Sequence, residues 1–570
     1  NENVLTYQTN IKKKHFFNSL LGVTLQNSDY EYYSFKTTNI PNESMGMAGM
    51  SEGIPATTSS EKSSWSMMSY LGRVNYNYKS KYYATASFRV DGSSKFAKKN
   101  RYGFFPSGSL AWNFTEENFM SKYKSVISSG KLRASWGLTG NNRVGEYETY
   151  ALLKMLKATS NNVQTGVYPF ENNLNSIGMV PISLLNKDLK WEKTTTTNVG
   201  LDISLFNSRV NLALDWYNNE SSNLLIKNKI PTTTGYADQY QNLGSIRNRG
   251  FEIVLNTTNK DFTWSTDLNI AINRSKVLEL YGDESLDYFI QDYESRMGYK
   301  IEVGKPLGQY YGLLYDGVYT TDDFNQQADG TYRIKDGVAS LKGLDRKKIK
   351  PGDAKYVPTA GETDSNGNPV WSTNDRTVIG NAAPKFTGGL NNTFTYKGFD
   401  LSIFMNFVVG NDVFNMSTQR FIGPYLSNQN SLAIMKNRFT LVDPQTGKET
   451  TNLARLAELN PGQFGKNVMW NISENNKTAI SDHSSYYIED GSYLRFSTIT
   501  LGYTFPKQWI QKAKLSNARI YCTLNNIATI TGYNGYDPEV SASSSALTPG
   551  IDNSAYPRSK SWVLGVNLTF

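Results

Sequence analysis

Side chains on a β-strand alternate between two faces, and the stretch SWVLGVNLTF at 561–570 divides under that rule into two unlike files. Trp562, Leu564, Val566, Leu568 and Phe570 form a wholly apolar file; Ser561, Val563, Gly565, Asn567 and Thr569 form a small, mostly polar one. The division recurs upstream. Trp264, Thr266, Leu268, Ile270 and Ile272 oppose Ser265, Asp267, Asn269, Ala271 and Asn273; Val199, Leu201, Ile203 and Leu205 oppose Asn198, Gly200, Asp202 and Ser204. Val210, Leu212, Leu214 and Trp216 oppose Arg209, Asn211, Ala213 and Asp215, and the segments 82–90, 108–114, 132–138, 399–409 and 518–524 behave alike. The pattern predicts about fifteen strands, many of about ten residues or longer, which is nearer to the membrane-crossing length than to a soluble sheet's.

The gaps have a rhythm of their own. Connections 27–66, 139–188, 220–248, 279–383, 410–484 and 531–557 are long, whereas Lys79-Ser80-Lys81, Phe206-Asn207-Ser208, Asn259-Lys260-Asp261 and Tyr396-Lys397-Gly398 are tight. Stretches 91–101 and 115–129 blur the alternation without breaking it. In an up-and-down meander every second connection falls on the same side, so the rhythm places large loops at one end and turns at the other. That is the layout of an all-β, transmembrane, antiparallel up-and-down β-barrel of the bacterial outer membrane, with its apolar file facing lipid. Trp216, Trp264, Tyr503, Phe505 and Trp562, near strand ends, are expected in the interfacial girdles.

Composition agrees. Aromatics are 13% of the 570 residues, with 37 Tyr, 27 Phe and 45 Gly, which suits strands and turns. A mean hydropathy of −0.49 is compatible with a barrel, because alternate residues face the lumen. The net charge of +9 is dispersed, and its longest basic clusters, Lys12 to Lys14 and Arg346 to Lys348, suit loops or turns; nucleic-acid binding gains little support. A single cysteine, Cys522, excludes an internal disulfide framework and reads as a small buried or lipid-facing residue.

Several segments, in order, resemble the SusC/RagA family of TonB-dependent outer-membrane transporters of Bacteroidota. They include GRVNYNYKSKYYATASFRVDGSSKF at 72–96, KLRASWGLTGNN at 131–142, LKWEKTTTTNVGLDISLF at 189–206 and NLGSIRNRGFEIVLN at 242–256. GKPLGQYYGLLYDGVY at 304–319, NDRTVIGNAAPKFTGGLNNTFTYKGFDLS at 374–402 and YIEDGSYLRFSTITLGYTFP at 487–506 follow. The resemblance implies a plugged barrel of about 22 strands. It also implies a SusD-like surface lipoprotein as lid, coupling to the TonB complex, and active import of oligosaccharides foremost or oligopeptides. No plug-like segment or TonB box precedes the strands, so residues 1–570 are expected to be the barrel domain's C-terminal part, carrying about the last fifteen strands. Independently of the family, the last strand of a barrel with a terminal aromatic on its lipid face resembles an outer-membrane assembly signal, which would comprise Trp562, Leu564, Val566, Leu568 and Phe570. The alternative is a surface glycan-binding or adhesion β protein without transport activity.

No catalytic constellation is legible. Histidines occur only at His15 and His483, away from cysteine and outside any H-E-x-x-H pattern, and no nucleophile elbow or phosphate loop stands where a strand-to-helix turn could use it. An enzyme is not expected, and no cofactor is required. Asp364, Asn366, Asn368 and Asp375 fall at positions 1, 3, 5 and 12 of a calcium-loop spacing, although Pro369 replaces the sixth-position glycine; a structural calcium is the one ion the sequence suggests. For cargo, Trp191, Tyr310, Tyr311, Trp371 and Tyr486 are candidates, because aromatic faces stack on sugar rings. A hydrophobic cluster within the loops is the competing explanation for each.

Overall fold

The computed structural model describes every residue except 156–177, 237, 260–262, 281–284, 290–297, 423–429, 466–467, 474–482, 540, 542–544 and 546. It divides into two units, Asn1–Asn207 with Asp215–Arg249 and Ser208–Leu214 with Gly250–Phe570. Strands Val210–Ser222 and Ser245–Asn259 contribute residues to each.

In the first unit, β1 (Glu2–Ile11), β2 (His15–Thr38), β3 (Ile54–Tyr78), β4 (Tyr82–Ser93), β5 (Tyr102–Asn113), β6 (Ile127–Asn141) and β7 (Glu192–Leu205) pair antiparallel in chain order. Register turns the two-residue period into rows across the ladder. Phe17, Tyr76, Ala84, Leu110, Ala134 and Val199 stand side by side on one face, and on the other the next row is Asn18, Asn75, Thr85, Ser109, Ser135 and Asn198. The apolar row is not covered by protein: Leu110 is 66% exposed.

The second unit repeats the design in β8 (Thr263–Glu279), β9 (Phe386–Tyr396), β10 (Phe399–Val409), β11 (Tyr493–Thr504), β12 (Asn517–Thr531) and β13 (Ser561–Thr569). Trp264, Phe394, Leu401, Leu501, Cys522 and Leu564 make an apolar row, and Ser265, Thr393, Ser402, Thr500, Thr523 and Val563 its neighbour on the opposite face. Cys522 thus stands in the apolar file, as its parity requires. Among the described residues no helix is long and apolar enough to cross a membrane.

Three turns show how the tight connections close. Lys397 and Gly398, both at positive φ, join Tyr396 directly to Phe399. Left-handed backbone at both central residues matches the right-handed twist of the strands they join. Lys12 with Lys13, and Lys79 with Ser80, take the same left-handed region. In the Asn259-Lys260-Asp261 connection, residues 260 and 261 lie outside the described residues.

The long connections differ from the expectation in one place and exceed it in others. Residues 27–66 are mostly strand: β2 runs to Thr38 and β3 starts at Ile54, twenty-four and twenty-five residues long respectively. Polar, Ser- and Thr-rich sequence obscured the continuation, because a strand pair clear of the apolar zone has no greasy file to reveal it. Elsewhere the loops build cores of their own. Tyr299, Tyr310, Tyr315, Trp371, Phe414, Trp470 and Tyr487 are buried together in the second unit, and Phe96, Phe105, Val144, Leu189 and Trp191 in the first.

Candidate functional site

The polar files supply the first set of candidate side chains, because their strands hold them at fixed register. On β6, Arg133 lies opposite Gly200 of β7. The missing side chain at Gly200 leaves room for the guanidinium to reach Asp202, with Nε to Oδ2 at 2.8 Å, and Asp215, with Nη1 to Oδ1 at 2.9 Å. Arg519 and Asp400 meet the same way above Gly502, with Nε to Oδ1 at 2.9 Å. Arg89 donates to Asp91 at 2.6 Å and to Ser69 Oγ at 3.0 Å. These forked pairs fix charge without exposing a lone ion, and with the Asn, Ser and Thr rows they offer many directional donors and acceptors. Sequence parity placed Asp202, Asp215 and Asp400 on polar files; their arginine partners, brought together across strands, were missed.

A further ion cluster ties a loop to the wall. Arg495 of β11, 2% exposed, pairs with Asp537, and its Nη1 lies 3.1 Å from Glu539, which Arg558 also grips at 2.7 Å. Burial pushes the Asp537 carboxyl up, but the Glu539 amide and the Arg495 guanidinium outweigh it and hold the group below the ordinary aspartate range.

The aromatic cargo candidates are placed otherwise than expected. Trp191 packs between Phe96 and Phe105, and its Nε1 donates to the Arg101 carbonyl at 3.1 Å. Tyr310 is wholly buried; its hydroxyl donates to the Gly550 carbonyl at 2.6 Å, and burial raises its ionisation far above a free tyrosine's. Trp371, 4% exposed, packs edge-on against Tyr356. These three rings are buried within loop cores. Tyr486 is half-buried, with Trp470 at 4.8 Å and Tyr315 at 5.1 Å, and Tyr311 is half-buried beneath the Lys300 ammonium. Tyr310, Trp371 and Tyr486 gather at one core in the second unit, and only Tyr311 and Tyr486 keep exposed surface.

The loop with calcium-like spacing has a different use for its oxygens. Asp364 Oδ1 accepts from the amides of Asn366 and Asn368 at 2.9 Å each, and its hydrogen bonds, that from the Asn368 side chain foremost, hold the carboxyl below the ordinary range. Asn368 Oδ1 accepts from Gly337 N at 2.9 Å. Asp375, fully buried, accepts from Ala360 N at 2.6 Å and Ser372 N at 2.7 Å, closing a capping box. The Asp364, Asn368 and Asp375 oxygens thus accept from donors of the protein itself, and among the described residues no three His, Cys, Asp or Glu side chains converge in a manner that could hold a metal.

In the terminal strand, Trp562, Leu564, Val566, Leu568 and Phe570 are 70, 69, 63, 49 and 88% exposed, an apolar file open along its whole length. A sequence model described as "TonB dependent receptor-like, beta-barrel" matches residues 1–534. The chain belongs to that family. Membership places it in the bacterial outer membrane and accounts for an apolar file with no protein over it. TonB-dependent receptor P39 of Formosa agariphila is 32% identical over 593 residues, covering all of this chain and 53% of that protein. TonB-dependent receptor SusC of Bacteroides thetaiotaomicron is 31% identical over 515 residues, covering 88% of this chain and 44% of that protein. The chain therefore spans about half the length of the relatives it matches. The solved RagAB peptide transporter shares the fold, with a TM-score of 0.75 at 23% identity over all of this chain and 55% of that one.

Proposed function

We propose that the protein imports oligomeric nutrients across the outer membrane, energised through the TonB complex and assisted by a SusD-like surface lipoprotein lid. The observation that carries this reading is the division of each ladder into an uncovered apolar face and a face of Asn, Ser, Thr and paired Arg and Asp. That division gives hydrocarbon on one side and a hydrogen-bonding wall on the other. Oligosaccharides are the first cargo class, because rows such as Asn18, Asn75, Thr85, Ser109, Ser135 and Asn198 suit a hydroxylated polymer; oligopeptides are the second. Tyr311 and Tyr486 are the aromatic residues left to stack on cargo. In this reading the ladders belong to a closed, plugged barrel.

Deleting the gene and following growth and uptake of labelled oligosaccharides and oligopeptides tests the proposal. Uptake of one class should fall, return on complementation, and stop when the proton gradient is dissipated. Unchanged uptake of both classes would overturn it.

A further inference from the structure

On the apolar face of the first unit a 350 Å³ notch opens beside the turn joining β3 to β4. Tyr76, Tyr82, Trp112 and Leu132 help to wall it, while Ala84 and Ala134 contribute only methyl groups. Register accounts for the hollow: Ala84 lies between Tyr76 and Leu110, and Ala134 is the next residue along the same row. Its lining is almost entirely apolar, and it faces the hydrocarbon side of the sheet.

Glu117 marks where that apolar zone ends. Tyr82 Oη donates to it at 2.6 Å, Lys81 Nζ at 3.0 Å and Trp112 Nε1 at 3.4 Å, so the polar tips of Tyr82 and Trp112 turn toward one carboxylate. Tyr82 foremost, then Lys81, holds the Glu117 carboxyl below the ordinary glutamate range. On that polar side two turns touch, because Lys79 N donates to the Lys14 carbonyl at 2.8 Å. Lys12, Lys13, Lys14 and Lys79 are exposed there, and among the described residues no carboxylate pairs with any of the four. His15, Tyr78, Tyr82 and Trp112 form the first row inside these turns. Lys79 lies over the Tyr78 ring, 5.2 Å from its centroid, and an aromatic belt bordered by lysines without carboxylate partners is the chemistry of a headgroup boundary.

We propose that the notch and the lysine turns together bind one anionic phospholipid. An acyl chain fills the space between Ala84 and Ala134, and the phosphate rests against Lys12, Lys13, Lys14 and Lys79. A zwitterionic lipid fits the notch equally well, but its ammonium group meets four lysines, while the Glu117 carboxylate is already engaged by three donors. The rim therefore selects for net negative charge.

The test uses the protein at its natural length, purified from micelles carrying equal amounts of phosphatidylglycerol and phosphatidylcholine, with the retained lipid extracted and quantified. Phosphatidylglycerol should be retained at least about fivefold over phosphatidylcholine at low salt, and the preference should shrink in high salt because exposed lysines are screened. Replacing Lys12, Lys13, Lys14 and Lys79 by Gln should abolish the preference and leave phosphatidylcholine retention unchanged. Filling the notch with Ala84→Leu and Ala134→Leu should lower retention of both lipids. Gel mobility before and after boiling reports whether each variant has folded, and the salt series on the unaltered protein stands without any variant. Equal retention of the two lipids, or a preference that survives loss of the lysines, would overturn the proposal.

Discussion

Gly502 carries an ion pair where another residue would carry a side chain. A Cβ there would stand 2.4 Å from Arg519 Nη2 and 2.6 Å from the Asp400 carboxylate, and Gly200 is crowded in the same way by Arg133 and Asp215. Gly502→Ala is expected to push Arg519 off Asp400 and cost roughly 1–3 kcal/mol in a urea titration, whereas Gly532→Ala, with nothing within 4 Å, should be close to neutral. Arg495 is the second sensitive residue. Arg495→Leu leaves the Asp537 carboxylate without its buried partner, an uncompensated charge worth roughly 3–5 kcal/mol, and should speed proteolysis between residues 533 and 558. The native pairing also has a pH signature. Because Asp537 sits below its ordinary value when folded, its stabilisation is complete above that ordinary value, about 4, and is lost as pH falls through the lower folded one. Proteolysis of this segment should therefore be flat from neutral pH down to about 5 and rise in stronger acid. At this scale parity found the polar aspartates, but it could not tell a loop-core ring from a cargo-facing one. Trp191 and Tyr310 are aromatic for packing, and the same residue types would serve stacking.

Strands in this chain are held by a recurring cross-strand pair, an aromatic ring laid over a glycine. Phe88 covers Gly72, Tyr102 covers Gly92, Phe407 covers Gly388 and Tyr521 covers Gly565, each directly opposite in register. At Gly388 the approach is closest to backbone: an added Cβ would stand 2.3 Å from the Asn269 carbonyl oxygen and 2.5 Å from the Phe407 ring. The carbonyl cannot move without opening the β8 to β9 ladder. Gly388→Ala should therefore cost at least about 2 kcal/mol and reduce the folded fraction seen by gel mobility, more than Gly565→Ala, where only the far end of the Tyr521 ring intervenes. Strand existence was legible from the two-residue period, but strand limits were not. β12 continues to Thr531, past the expected end at residue 524, through an irregularity in which β11 and β12 shift register between Phe496 and Thr498. One extra residue swaps the faces, so a parity test stops there although the strand does not.

Hydrocarbon rather than protein covering the apolar files is the feature on which the whole molecule turns. Leu564, 69% exposed in the middle of β13, stands beside Cys522 and on the row of Leu501. Leu564→Arg should cost up to roughly 2–4 kcal/mol for membrane insertion, and Asn567→Arg on the opposite file much less, when folding into liposomes is followed across a urea series. Equal costs would mean that the two faces do not differ in environment. The sequence by itself determined the all-β class, the two unlike faces and the positions of many strands, because alternation is a property of neighbouring residues and survives without knowledge of any distant partner. Tertiary structure alone decided which arginine meets which aspartate, which loop aromatics are buried, and where Ala84 and Ala134 hollow the apolar face. Those outcomes depend on register between strands far apart in the chain, and register is set by pairing, not by local pattern.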